Sequence, residues 1–273
     1  MTERPRPYIG VSGIASPEKQ TQTITAFESF GLTAKRGLLL GVKALHKCQW
    51  LDQPWKRDDQ WDVVGEAAFR SALNSDSRSL NIAQAYFDKN LVGDKRYRDA
   101  FLNSIYERGK PWIDGIQYDC LPWHENPDML RFLHETKGRH PGTKVLLQCW
   151  KDTLERYSPK QLARLLGQHA EALDYLLFDT SHGKGEPFNP EYLIPYIEEA
   201  YANERLGTVG ISLAGGIGNQ ESIEKVRTII EQFPDTSYDA ESNLHPRQAD
   251  GSMPLDIGTV RKYFGYSADA LSL

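Results

Sequence analysis

Short apolar runs bounded by turn signals recur along the chain, separated by longer stretches with helical spacing of apolar positions. The runs are Tyr8–Ile14, Gly37–Val42, Leu80–Tyr86, Ile113–Tyr118, Lys144–Cys149, Leu173–Asp179, Gly207–Leu213 and Thr236–Ala240. Runs of this length and composition read as strands buried on both faces. The intervening helices are expected over Pro17–Phe30, Asp62–Leu73, Asp94–Arg108, Pro127–Thr136, Pro159–Gly167, Tyr192–Ala202, Gln220–Gln232 and Ile257–Phe264. Ser16 as N-cap with Pro17 behind it marks the first helix start, and Gly31 its end.

Eight strands alternating with helices predict an α/β fold with a parallel sheet, and the count points to closure into a (β/α)8 barrel. An open doubly wound sheet is the alternative, since counting units does not prove closure. No GxGxxG opens the first unit, which argues against a dinucleotide fold. No linker divides the chain, so residues 1–273 are expected to form one domain. The least regular stretch, His46 to Trp61, carries Trp50, Trp55 and Trp61 with Pro54 between them. It reads as an extended loop after the second strand, either a lid or binding loop, or a packed cover or subunit contact.

Composition narrows the function only slightly. Of 273 residues, 40% are hydrophobic and 25% charged, as in ordinary globular proteins. The net charge of -5 offers no basic stripe for nucleic acid. A phosphate site would therefore rest on local dipoles and a few cations. Cys48, Cys120 and Cys149 are widely spaced, with no CxxC or Cys/His cluster, so neither a disulfide framework nor a zinc site is expected. No signal-peptide pattern and no run of membrane-spanning length is visible. These features predict a cytoplasmic protein with no metal, no cofactor and no membrane partner.

In a barrel the C-terminal strand ends converge on one site. Read in order, those ends supply Ser12, Lys43, Tyr86 or Asp88, Asp119, Cys149, Asp179, Gly215-Gly216 and Glu241. The mixture suits acid/base chemistry on a small polar ligand. Asp179 ends the sixth run abruptly, and Gly183, Lys184 and Gly185 follow in a pliable loop; the residue is either an acid placed for chemistry or a turn cap. Gly215 and Gly216 precede a helix beginning near Gln220, a setting for anion binding by backbone N–H groups. A tight turn with no ligand is the alternative.

The ordered set of these motifs resembles phosphoribosylanthranilate isomerase, a family within the phosphate-binding barrels. Val11-Ser12-Gly13-Ile14 is similar to the family's first strand, Ile-Cys-Gly-Ile. Ile113-Asp114-Gly115-Ile116-Gln117 is similar to its fourth, Leu176-Leu177-Phe178-Asp179-Thr180 with Gly183-Lys184-Gly185 and Phe188 to its sixth, and Leu213-Ala214-Gly215-Gly216 to its seventh. The resemblance implies a barrel enzyme that isomerises an aminoaldose to an aminoketose, with Asp179 as the acid that opens the sugar ring.

Three departures stand beside it. The family's first-strand cysteine base is Ser12 here, far less acidic than a thiol. Its phosphate loop Asp-Val-Ser-Ser-Gly is Asp239-Ala240-Glu241-Ser242-Asn243, which brings a carboxylate to the phosphate unless Lys184 or Lys43 balances it. Its substrate-binding arginine is absent from Lys43–Lys47.

The expectation is an isomerase-like enzyme acting on a phosphorylated sugar or amino-sugar derivative. Asp179, Ser12 and Asp119 are its candidate catalytic residues. Gly183, Lys184, Gly185, Gly215, Gly216, Ser242 and Lys43 are its candidate phosphate or substrate contacts, and its partner is a small phosphorylated metabolite. A phosphosugar aldolase or lyase using Lys43 as a Schiff-base amine, and a non-catalytic phosphosugar-binding barrel, are the alternatives.

Overall fold

A computed structural model describes residues 3–45, 69–70, 72–73, 78–119, 121–181 and 187–272. Eight parallel strands close in sequence order into a barrel, β1 (Tyr8–Ser12), β2 (Gly37–Leu45), β3 (Ser79–Tyr86), β4 (Gly115–Tyr118), β5 (Lys144–Trp150), β6 (Tyr175–Asp179), β7 (Gly210–Ala214) and β8 (Ser237–Ala240). Closure excludes the open-sheet alternative, and the chain is a (β/α)8 barrel. Among the described residues the helices are α1 (Pro17–Ser29), α2 (Lys95–Gly109), α3 (Arg131–Arg139), α4 (Lys151–Arg156), α5 (Pro159–Gly167), α6 (Pro190–Ala202), α7 (Gln220–Gln232) and α8 (Ile257–Ala270).

Local chemistry places the helix starts. Ser16 Oγ accepts the Lys19 amide at 3.2 Å, as the Ser-Pro signal predicts. Asn219 and Ser222 form a reciprocal capping box at the start of α7. The short α4 directly after β5 was not legible in the sequence, and α3 is preceded by a 3-10 turn over Pro127–Leu130. Of the expected Asp62–Leu73 helix, Phe69, Ala72 and Leu73 are described and buried. The tryptophan-bearing stretch 46–61 lies outside the described residues, as do Cys48 and Cys120.

The outward strand faces and the inner helix faces make one large apolar core, and a smaller cluster fills the floor of the barrel. That floor consists of Tyr8, Leu39, Ile82, Leu146 and Tyr175, with the Tyr8 and Tyr175 rings edge to face at 5.1 Å. Such a floor makes the barrel a packed body rather than a pore. Polar chemistry is left to the other end.

Candidate functional site at the C-terminal mouth

The ladder register decides which side chains meet. Neighbouring strands pair Ser12 with Gly41, Gly41 with Ile82, Ile82 with Gly115, and so on around the barrel. Followed once around, the register carries the offset of eight that such barrels share, so inward side chains fall into layers of four from alternate strands. The charged layer draws on the even strands and the residues that directly follow them, and holds Lys43, Asp119, Asp179 and Glu241. Beneath it the odd strands supply Ser12, Gln84, Gln148 and Ala214. One layer lower the even strands return with Gly41, Gln117, Leu177 and Asp239.

The charged layer is three carboxyls and one amine. Lys43 Nζ is ion-paired with Glu241, so the balance the sequence required for Glu241 is present. Tyr86, inward on β3, places its ring centroid 5.9 Å from Lys43 Nζ. Asp88 instead organises a turn, accepting the Asn90 amide at 2.8 Å.

Each buried acid of this layer is held by a glutamine from below. Gln148 Nε2 donates to Asp179 Oδ2 at 2.8 Å, and Gln117 Nε2 donates to Asp119 Oδ1 at 2.9 Å. Asp179 Oδ1 also accepts the Ser181 amide at 2.7 Å and the Ser181 hydroxyl at 3.0 Å. The residue therefore caps its own turn while facing the mouth, and the two sequence alternatives are both realised. Asp119 Oδ2 is buried with no hydrogen-bond partner. Burial raises both carboxyls, with the Glu241 charge adding to the effect; for Asp119 the rise is well above the usual range.

Ser12 is held by polar side chains of two other strands. Its Oγ lies 3.0 and 3.2 Å from the two carboxyl oxygens of Asp239, and Gln84 Nε2 donates to it at 3.0 Å. Burial, and then the Glu241 charge, lift Asp239 to about 8. Glycines make this crossing possible. A Cβ at Gly10 would stand 3.1 Å from Asp239 Oδ2, and one at Gly41 would stand 2.7 Å from Ser12 Oγ. Behind Ser12, His245 Nε2 lies 3.0 Å from the Ser12 carbonyl and its Nδ1 3.0 Å from the Met253 carbonyl, tying β1 to the segment after β8.

The β7 exit has the backbone the glycine pair predicts, with φ of 90° at Gly215 and 71° at Gly216. The amides of Gly218 and Asn219 donate to Ser222 Oγ at 3.0 and 3.1 Å, and Asn243 Nδ2 donates to the Gly216 carbonyl at 2.8 Å. Ser242 begins a short 3-10 turn beside this loop. Gly183, Lys184 and Gly185 lie outside the described residues.

Cys149, a strand-end candidate, points away from the mouth. It packs in the apolar core between barrel and helices, where burial pushes its thiol up. Among the described residues no cluster of His, Cys, Asp and Glu has metal-binding geometry. No described helix is long and apolar enough to cross a membrane. Sequence reading missed Asp239, Gln84, Gln117 and Gln148. A signal existed, since each is a polar residue at an inward, alternate position of an otherwise apolar strand.

No protein-family profile matches the chain, and no curated protein matches it. Among solved structures, the tryptophan synthase alpha chain of Legionella pneumophila subsp. pneumophila is similar at 16% identity and a TM-score of 0.52, over 97% of this chain and 92% of that one. An aldolase is similar at 12% identity and a TM-score of 0.54, over 85% and 88%. The N-acetylneuraminic acid (sialic acid) synthetase of Leptospira borgpetersenii serovar Hardjo-bovis is similar at 10% and 0.54, over 98% and 84%. At such identities the likeness is one of fold. Fold and mouth together define a (β/α)8 barrel whose buried acids gather at the C-terminal strand ends.

Proposed function

We propose that this chain is an acid–base enzyme of the sugar-isomerase type, acting on a phosphorylated sugar or amino-sugar derivative at the barrel mouth. The observation that carries the reading is the pairing of Asp119 and Asp179 in one layer, both buried, both held by glutamine amides and both raised. A carboxyl raised above its usual range holds its proton to higher pH, which suits it to proton donation. In this reading the pair protonates the ring oxygen of an aminoaldose, and the carbon–oxygen bond breaks to open the ring. Loss of the neighbouring carbon's proton then gives the enol, which becomes the ketose. The first-, fourth-, sixth- and seventh-strand motifs that resemble those of phosphoribosylanthranilate isomerase support the same assignment, with Asp179 as the member of the pair that the family pattern names.

For phosphate, the reading assigns the backbone around Gly215 and Gly216, Ser242, and the Gly183–Lys184–Gly185 loop, with Lys43 countering Glu241. The test is turnover of phosphoribosylanthranilate and a panel of aldose phosphates and amino-aldoses, compared with the Asp179→Asn and Asp119→Asn variants. At least one variant is expected to lose about a hundredfold or more in kcat while remaining folded. Full activity in both variants, or no turnover of any sugar by the native chain, overturns the proposal.

A further inference from the structure

An acid side needs a base side, and this inference rests on the isomerase reading above. Ser12 stands on β1, across the barrel axis from β5, while Asp119 and Asp179 lie on the strands that flank β5. A serine hydroxyl alone is a poor base, but this one is not alone. Both carboxyl oxygens of Asp239 are within hydrogen-bond distance of Ser12 Oγ, and Gln84 fixes the oxygen from the other side. Among the described residues no charged side chain is hydrogen-bonded to Asp239. The groups that face it are Tyr8 on β1, Tyr263 on α8, Asp119, Asp179 and Glu241.

We propose that Ser12 and Asp239 form a proton-relay pair, the base side of the site. In its ionised form, the fraction that grows as pH rises toward about 8, Asp239 takes the Ser12 hydroxyl proton as Ser12 Oγ takes the proton from the substrate carbon. The electron pair of the broken carbon–hydrogen bond enters the new carbon–carbon double bond. The proton rests on Asp239 as a carboxylic acid, Ser12 remains a neutral hydroxyl throughout, and no alkoxide accumulates. The acid pair has meanwhile given one proton to the ring oxygen, so protons balance across the site.

Access to Ser12 follows from the layers. Lys43 lies on β2 and Glu241 directly follows β8, the strands on either side of β1, so their ion pair lies one layer above Ser12, which is completely buried. Gln148 and Ala214, which share Ser12's layer, are each 8% exposed, against 0% for Ser12. Parting of the Lys43–Glu241 pair uncovers the relay.

Two measurements test it. The first needs no substrate. Carboxyl-13C aspartate is incorporated, the Asp239 signal is identified by its loss in Asp239→Asn, and it is titrated between about pH 5 and pH 9. Ser12→Ala removes a donor to the charged form and is expected to move the midpoint up by about half a unit or more. An unmoved midpoint overturns the relay.

The second follows deuterium from solvent into the carbon of phosphoribosylanthranilate or an aldose phosphate. Asp239→Asn is expected to slow exchange by about a hundredfold. In a Ser12→Cys background, where a thiol is acidic enough to act by itself, the same change is expected to cost less than about threefold. Equal losses in both backgrounds make Asp239 a packing residue and overturn the relay. If no sugar exchanges while the titration still responds to Ser12→Ala, the isomerase reading falls and the proton-sharing pair stands. If the acid variants lose turnover while the titration is indifferent to Ser12, the isomerase reading stands and the relay falls.

Discussion

Gly215 at the β7 exit lies so close to Asp179 on β6 that a Cβ at position 215 would stand 2.5 Å from Asp179 Oδ1. The same Cβ would meet the Ser181 amide and hydroxyl at 3.0 Å, the two donors that orient this carboxyl. With φ at 90°, an L side chain is also strained there. Gly215→Ala is therefore expected to cost about 1–3 kcal/mol in urea unfolding and to lower turnover beyond any loss of folded protein. Activity and stability both at the native level would show that Asp179 does not depend on this contact.

Stability should depend on pH through Asp239. The folded chain holds this proton to about 8, whereas the unfolded chain releases it near the ordinary value of 3.8. Between those values the folded state binds more protons, so stability is greatest at the acid end of the window and falls as pH rises. Each pH unit inside the window is worth up to about 1.4 kcal/mol. Urea midpoints should be higher at pH 5 than at pH 8, and Asp239→Asn should flatten the difference. An identical slope in the variant would remove Asp239 as its cause.

The Lys43–Glu241 pair is expected to behave as one unit. Lys43→Met leaves Glu241 beside three buried carboxyls, and Glu241→Gln removes the charge that Lys43 answers. The double variant should be more stable than the two single losses predict, with a coupling on the order of 1 kcal/mol. Glu241→Ser should also strengthen binding of ribose 5-phosphate, because the carboxylate opposes an anion at the β7 loop. Thermal shifts with and without the sugar phosphate measure this. Additive losses and unchanged shifts would mean that the pair neither stabilises the mouth nor sets its charge.

Two glycines should respond in opposite directions. Gly41→Ala places a Cβ 2.7 Å from Ser12 Oγ and 3.0 Å from the Gln84 amide carbon, so it should cost about 1–3 kcal/mol and disturb the Ser12–Gln84 bond. Gly138 is exposed on α3 with nothing within 4 Å of an added Cβ. Gly138→Ala should stabilise by about 0.5–1 kcal/mol. Unfolding curves of the two variants side by side separate the steric cost from the helix preference.

The barrel was legible because apolar runs and amphipathic stretches alternate eight times, and buried parallel strands leave that trace in composition. Boundaries were less so: β2 continues past Val42 through Lys43 to Leu45, because its last residues stay buried against β3. Asp179 and Gly215 were visible as polar or flexible punctuation at strand ends. Asp239 and the three glutamines were not, because their importance lies in register. Nothing local in Gln148 announces Asp179, thirty-one residues on, as its partner; only the parallel pairing of β5 with β6, in its particular register, brings them together. Cys149 failed as a candidate for the complementary reason. It is one residue past Gln148, and a strand's two-residue repeat sends it to the opposite face.

The layers have a consequence for how this molecule can be altered. The charged ring at the rim and the ring directly beneath it, which includes Gln148, come from disjoint sets of strands. Positions 43, 119, 179 and 241 can therefore be randomised as one small combinatorial library, while 12, 84, 148 and 214 are held fixed, with no strand carrying a change in both rings. Selecting such a library for new substrates would ask one barrel for different chemistries without asking it to refold.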